Sequence, residues 1–339
     1  MIERARKALA PSVSKWGTKG SRLGIGDDAA ILTPTRGKEW VLSCDFFLEG
    51  IHFLGRSHPP ESVGYKSLAR AASDLAAMGA EPRYFLLSMA LPASKTSTWL
   101  DRFLMGMRRA VRSLDIELAG GDTSRHPSVA ISITVVGEVE VGRAVYRSGA
   151  RPGDLLYVSG ALGAAQLALE LILRKLDRRR GVRNLLFPHL YPSVRIDLGR
   201  WLAQNRMASA MMDISDGLST DLARMCAESG VGARVFADRV PSVRIPPQIQ
   251  KLVGAGKMRA EDLALHGGED YELLFTVQPR LAARLRRAPG APRITRIGEI
   301  TRGRQVLLMD NNGGAKALQP EGWDPFRKKQ AIRKRSSFA

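Results

Sequence analysis

Residues 61–78, ESVGYKSLARAASDLAAM, carry the helical pattern from which the fold of this chain can be predicted. Apolar side chains recur there at helical spacing, at Val63, Leu68, Ala71, Leu75 and Met78. Gly79 follows as a typical helix stop signal. The pattern predicts a helix with one face in the protein core, on which Asp74 has small neighbours that would let a ligand approach.

Strand patterns flank this helix. Residues 39–53, EWVLSCDFFLEGIHF, begin as a β-branched and aromatic run and turn polar at Ser43 and Asp45. We therefore expect these two side chains at the end of a strand. Beyond the helix the pattern predicts a strand, a helix and a strand, at residues 84–91, 99–114 and 129–141. The order β, α, β, α, β predicts an α/β or α+β architecture.

Residues 147–160, RSGARPGDLLYVSG, interrupt the chain with Gly149, Pro152 and Gly153, so we place a domain boundary near residue 148. The remaining patterns predict helices at residues 164–176 and 194–202 and after Gly217. They also predict strands at residues 155–158, 208–212, 233–236 and 272–277.

Length and composition fit a folded protein of about two domains. The 339 residues are 44% hydrophobic and 25% charged. Cys44 and Cys226 lie outside any CxxC spacing, and the N-terminus lacks the apolar run of a signal peptide. We expect a cytoplasmic protein without membrane contacts. The net charge of +19 favours anionic partners such as nucleotides, phosphates or nucleic acid.

Aspartates recur in short segments rich in glycine and serine. Residues 24–32, GIGDDAAIL, place Asp27 and Asp28 in a tight turn before an apolar strand. Four further segments carry aspartates: SCDFFLEGIHF at 43–53, SDLAAMGAEP at 73–82, AGGDTSR at 119–125 and MDISDGLSTDL at 212–222. Magnesium takes oxygen ligands, commonly one or two carboxylates with phosphates and water. Together the segments predict a site for several magnesium ions, although each alone also fits a surface turn or a helix cap.

Two of these segments predict local structure. The GGD at residues 120–122 ends an apolar segment, where glycine N–H groups can approach phosphate while Asp122 binds a metal. The three-residue spacing of Asp213 and Asp216 predicts both carboxylates on one side of a first helical turn. A simple turn and a capping box are the respective alternatives.

Several common catalytic signatures are absent from the sequence. It has no GxxxxGK[ST] loop, no protein-kinase motif set and no HExxH motif. Its five histidines form no recognisable Ser/His/Asp arrangement. Phosphoryl transfer would therefore need another kind of phosphate cradle.

Taken in order, the segments resemble the thiamine-monophosphate kinase family, in the superfamily of aminoimidazole ribonucleotide synthetase and selenophosphate synthetase. The resemblance covers about residues 24–323 and rests on GIGDDAAIL, SDLAAMGAEP, GGDTS, RSGARPGD, DISDGL and GGEDYEL. It implies magnesium-dependent transfer of the ATP γ-phosphoryl group to thiamine monophosphate, giving thiamine diphosphate and ADP.

The resemblance also implies a two-domain α/β fold of the aminoimidazole ribonucleotide synthetase kind. Residues 1–147 would be the ATP-binding, metal-binding and dimerisation domain, with sheets paired in a homodimer. Residues 148–326 would be the C-terminal α/β domain, and residues 327–339 a disordered basic tail.

Each site residue receives a role from the same resemblance. The implied magnesium ligands are Asp28, Ser43, Cys44, Asp45, Asp74, Asp122, Asp213 and Asp216. The residues implied to contact ATP or its metals are Gly121, Asp122, Arg147 and Ser215. Those implied to contact thiamine phosphate are His52, Glu269 and Trp323, of which the last can stack on a cationic ring. No dedicated catalytic base is implied, because metals and positioned donors can carry phosphoryl transfer.

Residues 43–53 depart from the family, which commonly has STDTLVEGVHF where this chain has SCDFFLEGIHF. A Cys44 thiol is a poor magnesium ligand, whereas its backbone carbonyl would serve unchanged. A catalytically weakened nucleotide-binding homologue is therefore one alternative. A nucleic-acid-binding protein is a less favoured one, since the basic runs at 174–183 and 327–335 lack interleaved aromatics. A selenophosphate synthetase or hydrogenase-maturation enzyme would need a terminal cysteine, which is absent.

Overall fold

The computed structural model of the chain describes residues 2–9, 21–23, 29–254, 258–289 and 293–326. The α-helices in these ranges are α1 (Ile2–Leu9), α2 (Pro60–Ala77), α3 (Thr98–Leu114), α4 (Ala164–Leu173), α5 (Phe187–Leu190), α6 (Ile196–Gln204), α7 (Leu218–Ser229), α8 (Pro247–Val253) and α9 (Ala260–His266). The strands are β1 (Ser21–Leu23), β2 (Ile31–Leu32), β3 (Lys38–Leu48), β4 (Glu81–Leu91), β5 (Glu117–Arg125), β6 (Ala130–Glu140), β7 (Leu155–Ser159), β8 (Ala208–Asp213), β9 (Gly232–Phe236), β10 (Leu273–Val277), β11 (Ile294–Thr301), β12 (Val306–Met309) and β13 (Ala315–Ala317). Short 3-10 helices lie at Ala93–Lys95, Arg183–Leu186, Ala237–Arg239 and Pro279–Arg287.

The N-terminal half, α1–α3 with β1–β6, is built on a four-stranded sheet in the order β3-β6-β4-β5. Strand β6 pairs antiparallel with β3 and β4, and β5 runs parallel to β4. Alternate residues of β6, among them Ile131, Ile133 and Val135, are fully buried against α2 and α3. The opposite face of this sheet carries exposed side chains.

The C-terminal half, β7–β13 with α4–α9, contains a seven-stranded sheet in the order β13-β12-β9-β11-β7-β10-β8. Its pairs are antiparallel except for the parallel pair of β9 and β12. Strand β8 is an edge strand, and its last residue, Asp213, lies beside α2.

Helix α2 is buried on almost all sides because it contacts both halves of the chain. A Cβ on Gly64 would lie 2.0 Å from the Phe103 carbonyl oxygen of α3, so only glycine allows this close approach. In the C-terminal half, a Cβ on Gly199 of α6 would lie 2.0 Å from the Ala76 carbonyl oxygen. The position of α2 is thus fixed by backbone contacts to both halves.

The α/β class and most predicted elements are confirmed. The deciding helix, expected at residues 61–78, is α2, and the predicted strands at 84–91, 129–141 and 208–212 correspond to β4, β6 and β8. The helix expected over 164–176 ends at Leu173, because Lys175 has a left-handed backbone with φ of 58°. The helix expected at 194–202 is shifted to α6.

Three local expectations are wrong. Ser43 and Asp45 lie inside β3 and not at its end, since β6 pairs with this strand as far as Leu48. The GGD at residues 120–122 lies inside β5, because pairing with β4 continues through its glycines. Asp213 and Asp216 do not share a helical turn, because Asp213 still pairs in β8 and α7 begins only at Leu218.

In the described ranges, no helix is long and apolar enough to cross a membrane. The predicted Asp28 and the basic tail at residues 327–339 lie outside those ranges.

Candidate active site

Four polar side chains of α2, Lys66, Arg70, Ser73 and Asp74, each bond to a residue outside the helix. Positions 66, 70 and 74 are four residues apart and therefore follow one face of the helix. Lys66 bonds to Glu269 and Arg70 bonds to Asp45. Ser73 bonds to Asp213, and Asp74 bonds to Ser43. One helix face thus gathers acidic groups from both halves of the chain.

Ser43 and Asp45 both face α2, because alternate residues of a strand point to the same side. The Ser43 hydroxyl donates a hydrogen bond to Asp74 Oδ2, and Arg70 Nε donates to Asp45 Oδ2 at 3.3 Å. Burial is the main reason that the pKa of Asp74 is raised, and the charge of Asp45 adds to it.

Asp213 is the most buried of these carboxylates, with 4% of its surface exposed. It accepts a hydrogen bond from the Ser73 hydroxyl, with 2.7 Å between Oγ and Oδ2. Burial first, and then the charge of Asp74, raise the pKa of Asp213 to about 8. Two carboxylates, one from each half of the chain, therefore repel each other here, and a divalent cation would relieve that repulsion.

The two carboxylates line a cleft of about 440 Å³ between the halves. Ser43 and Arg147 are also in its wall, and Arg147 is exposed. The charge of Arg147 lowers the pKa of Asp74, against the larger effect of burial. The cleft thus combines acidic groups with one cation that could pair with a phosphate.

The loop at residues 214–217 is held by a buried carboxylate that the sequence patterns do not reveal. Asp221 Oδ2 accepts the backbone N–H groups of residues 215–217 at 3.0 to 3.1 Å. Arg224 Nη1 donates to Asp221 Oδ1 at 3.0 Å and also pairs with the carboxylate of Asp216. The conformation of the DISDG loop therefore depends on Asp221.

Glu269 and Trp323 both attach to this loop through their backbones. The Glu269 N–H donates to the Ser215 carbonyl and the Trp323 N–H to the Asp216 carbonyl, each at 2.8 Å. Trp323 is 43% exposed, so part of its side chain is accessible to a ligand.

His52 lies on the segment that follows β3. The Leu48 N–H donates to His52 Nδ1 at 3.0 Å, so a neutral ring carries its proton on Nε2. Burial first, and then the charge of Arg70, lower the pKa of His52 to about 4. This ring is therefore a neutral hydrogen-bond donor near neutral pH.

Cys44, Gly121 and Asp122 do not join the cleft. Cys44 is exposed, and its thiol contacts the hydroxyls of Ser132 and Thr134 on the outer face of the N-terminal sheet. The register also places Asp122 on that face, because it pairs with Ser88, which pairs with Ser132. Gly121 has no side chain, and its strand β5 and the strand β3 are opposite edges of the sheet.

Within the described ranges, no group of three or more His, Cys, Asp or Glu side chains is arranged to hold a metal ion. The residues nevertheless fit magnesium, which needs only one or two protein carboxylates when phosphates and water complete its shell. Asp74 and Asp213 supply two such carboxylates, and burial is the main reason that both pKa values are raised, with the charge of Asp45 adding to it at Asp74 and the charge of Asp74 adding to it at Asp213.

Comparison with known proteins agrees with this geometry. Residues 26–139 match the AIR synthase related protein, N-terminal domain, and residues 151–310 match the AIR synthase related protein, C-terminal domain. The thiamine-monophosphate kinase of Aquifex aeolicus is 36% identical over 304 residues, which are 89% of this chain and 92% of that protein. The chain belongs to the thiamine-monophosphate kinase family. The predicted resemblance is confirmed.

Solved structures of thiamine-monophosphate kinases also share the fold. The enzyme from Stenotrophomonas maltophilia K279a has a TM-score of 0.78 at 36% identity, covering 93% of this chain and 96% of that chain. A structure described as AaThiL complexed with AMPPCP and TMP has a TM-score of 0.75 at 34% identity, covering 96% of both chains. The two-domain fold expected from the resemblance is therefore confirmed.

Arg70, Ser73 and Asp221 are site residues of this kinase-family member that sequence reasoning missed. Arg70 and Ser73 lie within the α2 pattern, but only the folded chain brings them against Asp45 and Asp213. No sequence pattern singles out Asp221, because its role comes from the loop N–H groups that the folded chain brings to its carboxylate.

We predict that Asp221→Ala lowers the free energy of unfolding by about 2–4 kcal/mol, since three loop N–H groups lose their acceptor. Urea denaturation measures this change. Asp221→Asn keeps an acceptor oxygen and should cost less. Equal stability of the alanine variant and the unaltered chain would show that the loop does not depend on this carboxylate.

Proposed function

We infer that this chain is an ATP-dependent kinase that transfers the γ-phosphoryl group of ATP to the phosphate of thiamine monophosphate. The products are thiamine diphosphate and ADP. Family membership supports this function, and the observation that carries it in the structure is the pair Asp74 and Asp213 in a cleft beside Arg147. Both reactants are anions, so a site built from acidic side chains needs cations to accept them.

Several magnesium ions are proposed as the cations, with Asp74 and Asp213 as the central ligands. Bound magnesium would neutralise phosphate charge and screen the two anionic reactants from one another. Ser43 and Ser73 orient the Asp74 and Asp213 carboxylates by hydrogen bonds, which reduces the reorganisation needed on binding. Arg147 contributes a fixed positive charge at the cleft wall.

The remaining roles stay proposals from the family resemblance. The proposed metal ligands beyond the central pair are Asp28, Ser43, the Cys44 carbonyl, Asp45, Asp122 and Asp216. ATP contacts are proposed for Gly121, Asp122, Arg147 and Ser215, and thiamine monophosphate contacts for His52, Glu269 and Trp323. The exposure of Trp323 and the Nε2–H of His52 support the last group.

The weakened-homologue alternative loses its main support from the position of Cys44. Its thiol lies on the outer sheet face, away from Asp74 and Asp213, so the substitution leaves their geometry unchanged. The nucleic-acid alternative rested partly on residues 327–335, which lie outside the described ranges.

Asp213→Asn tests the proposed central ligand. We expect formation of thiamine diphosphate from ATP, magnesium and thiamine monophosphate to fall about 100-fold or more, because a buried charged group of the site is removed. The matched control is Asp262→Asn, which neutralises an exposed aspartate on α9. Lack of product with the unaltered chain would overturn the kinase assignment, and full activity of Asp213→Asn would exclude this ligand.

The same substitution should stabilise the metal-free protein. The folded-state pKa of about 8 exceeds the ordinary value of 3.8, so the unaltered protein loses stability as pH rises between these values. Asparagine does not ionise, so the variant does not lose stability in this way. In the unaltered protein, the free energy of unfolding falls by at most about 1.4 kcal/mol per pH unit. Denaturation in the presence of EDTA at pH 6 and pH 8 measures the difference in stability between the two proteins. If Asp213 were a purely structural carboxylate, Asp213→Asn would be less stable than the unaltered chain at both pH values.

A homodimer is proposed through the outer face of the N-terminal sheet. Leu42, Phe46 and Leu86 are 64%, 63% and 39% exposed, and they lie on the same side as Cys44. Three large apolar side chains on one flat sheet face support a partner surface. The occupant we propose is the same face of a second copy, as the family resemblance implies.

Phe46→Arg should convert the dimer into a monomer, because a charge at the centre of an apolar interface lacks a partner. Light scattering coupled to size exclusion measures the mass. Met105→Arg is the matched control, since Met105 is 64% exposed but lies on α3. A monomeric unaltered chain, or a Phe46→Arg chain that remains dimeric, would refute this interface.

Domain limits and localisation also stay proposals. The interval 140–150 between the two family matches supports a boundary near residue 148. Cytoplasmic localisation is proposed from the absence of paired cysteines in the sequence.

A further inference from the structure

A second polar group surrounds Glu269, and apart from Glu269 its members have no role in the function described so far. It consists of His58, Lys66 and His189, which are 4%, 1% and 1% exposed, together with Glu269. Burying charged or titratable side chains costs free energy unless each has a hydrogen-bond partner. The bonds within this group therefore show how that cost is met.

The hydrogen bonds of the two histidines define their tautomers. The Leu54 N–H donates to His58 Nδ1 at 3.2 Å, so His58 carries its proton on Nε2. His58 Nε2 is 2.9 Å from His189 Nε2, which must therefore accept. His189 is left with its proton on Nδ1, and this N–H donates to Glu269 Oε2 at 3.0 Å. This assignment keeps both rings neutral, and Lys66 Nζ also lies 3.3 Å from His189 Nδ1 and 3.4 Å from His189 Nε2.

Lys66 completes the arrangement from α2. Its Nζ donates to the same Oε2 atom of Glu269 at 2.8 Å. The positive charge of Lys66 and the bond from His189 outweigh burial and lower the pKa of Glu269 well below its ordinary value. Glu269 therefore stays ionised while one of its oxygens is held by two donors.

The group connects the two halves of the chain. His58 and Lys66 belong to the N-terminal half, whereas His189 of α5 and Glu269 belong to the C-terminal half. Leu54, where the chain of bonds begins, is two residues from His52. The path therefore joins the His52 segment to Glu269 across the domain interface.

Glu269 itself has features of a restrained residue. Its backbone φ is +66°, a left-handed value that is uncommon for a residue with a side chain. Its N–H is fixed to the Ser215 carbonyl, and 22% of its side chain is exposed. One carboxylate oxygen is thus clamped from inside the protein while part of the group still faces outward.

We propose that His58, His189 and Lys66 are positioning residues that hold the Glu269 carboxylate against a cationic or hydrogen-bond-donating part of the phosphate-accepting substrate. This role rests on the proposed kinase function, in which Glu269 contacts thiamine monophosphate. The three residues act through Glu269, and none of them lines the cleft that Asp74 and Asp213 share. Their loss should therefore weaken binding of thiamine monophosphate selectively.

The test compares three variants of the full chain by steady-state kinetics. His189→Leu removes the donor to Glu269, and we expect KM for thiamine monophosphate to rise about tenfold or more. KM for ATP should stay within about twofold. His189→Asn places an amide donor near the position of Nδ1–H and should recover most of the loss. Lys66→Met should act in the same direction as His189→Leu.

Parallel rises of both KM values, together with a loss of thermal stability, would mean that the group only joins the domains and would overturn the proposal. An unchanged KM for thiamine monophosphate in a folded His189→Leu protein would overturn it as well.

Nitrogen NMR of the unaltered chain tests the tautomers of the two histidines. This measurement needs neither a variant nor an activity assay. We expect His58 as the Nε2–H tautomer and His189 as the Nδ1–H tautomer. A protonated ring or the opposite tautomer in His189 would break the chain of donors and refute the proposal. Failure to form thiamine diphosphate would instead count against the kinase function, so the two failures can be told apart.

Discussion

Repulsion between two carboxylates, the buried Asp213 and the half-buried Asp74, is the constraint on which the rest of the structure depends. Asp74 and Asp213 come from different halves of the chain, and burial limits the screening of their charges by water. The protein holds them in place with the hydroxyls of Ser43 and Ser73. Burial and the charge of Asp74 raise the pKa of Asp213 to about 8. Cations that accompany a polyphosphate would relieve the same repulsion, which explains why a kinase of this family maintains it.

Helix α2 carries that constraint through the molecule. It contacts α3 and α6 closely enough that glycine is needed at the crossing points, so it cannot shift without disturbing both halves. Its polar face bonds to Ser43, Asp45, Asp213 and Glu269. The proposed metal ligands and the proposed substrate carboxylate are therefore positioned by one rigid element. Such sharing favours precise placement, since catalytic groups on helices and strands move less than groups on loops.

The sequence predicts the features of the fold and of the site that depend on local pattern. Helix α2, strand β6 and the order of elements follow from periodicity, and several long motifs in fixed order identify the family. The spacing of Asp213 and Asp216 predicted a shared helical turn, and this prediction is wrong. Strand pairing, which is a non-local effect, decides where β8 ends. His189 and Asp221 carry no local signal, since their importance comes from partners that the fold brings together. Pairing across the domain interface is a tertiary property that a single sequence does not encode in its periodicity.

Asp74 and Asp213 are proposed to hold a divalent cation between the two halves of the chain. The most direct test is a calorimetric titration of magnesium into the protein saturated with AMPPCP, comparing the unaltered chain with Asp74→Asn. We expect saturable magnesium binding whose affinity falls about tenfold or more in the variant. Equal magnesium affinity in both proteins would contradict it, because the carboxylate pair would then have no part in holding the metal.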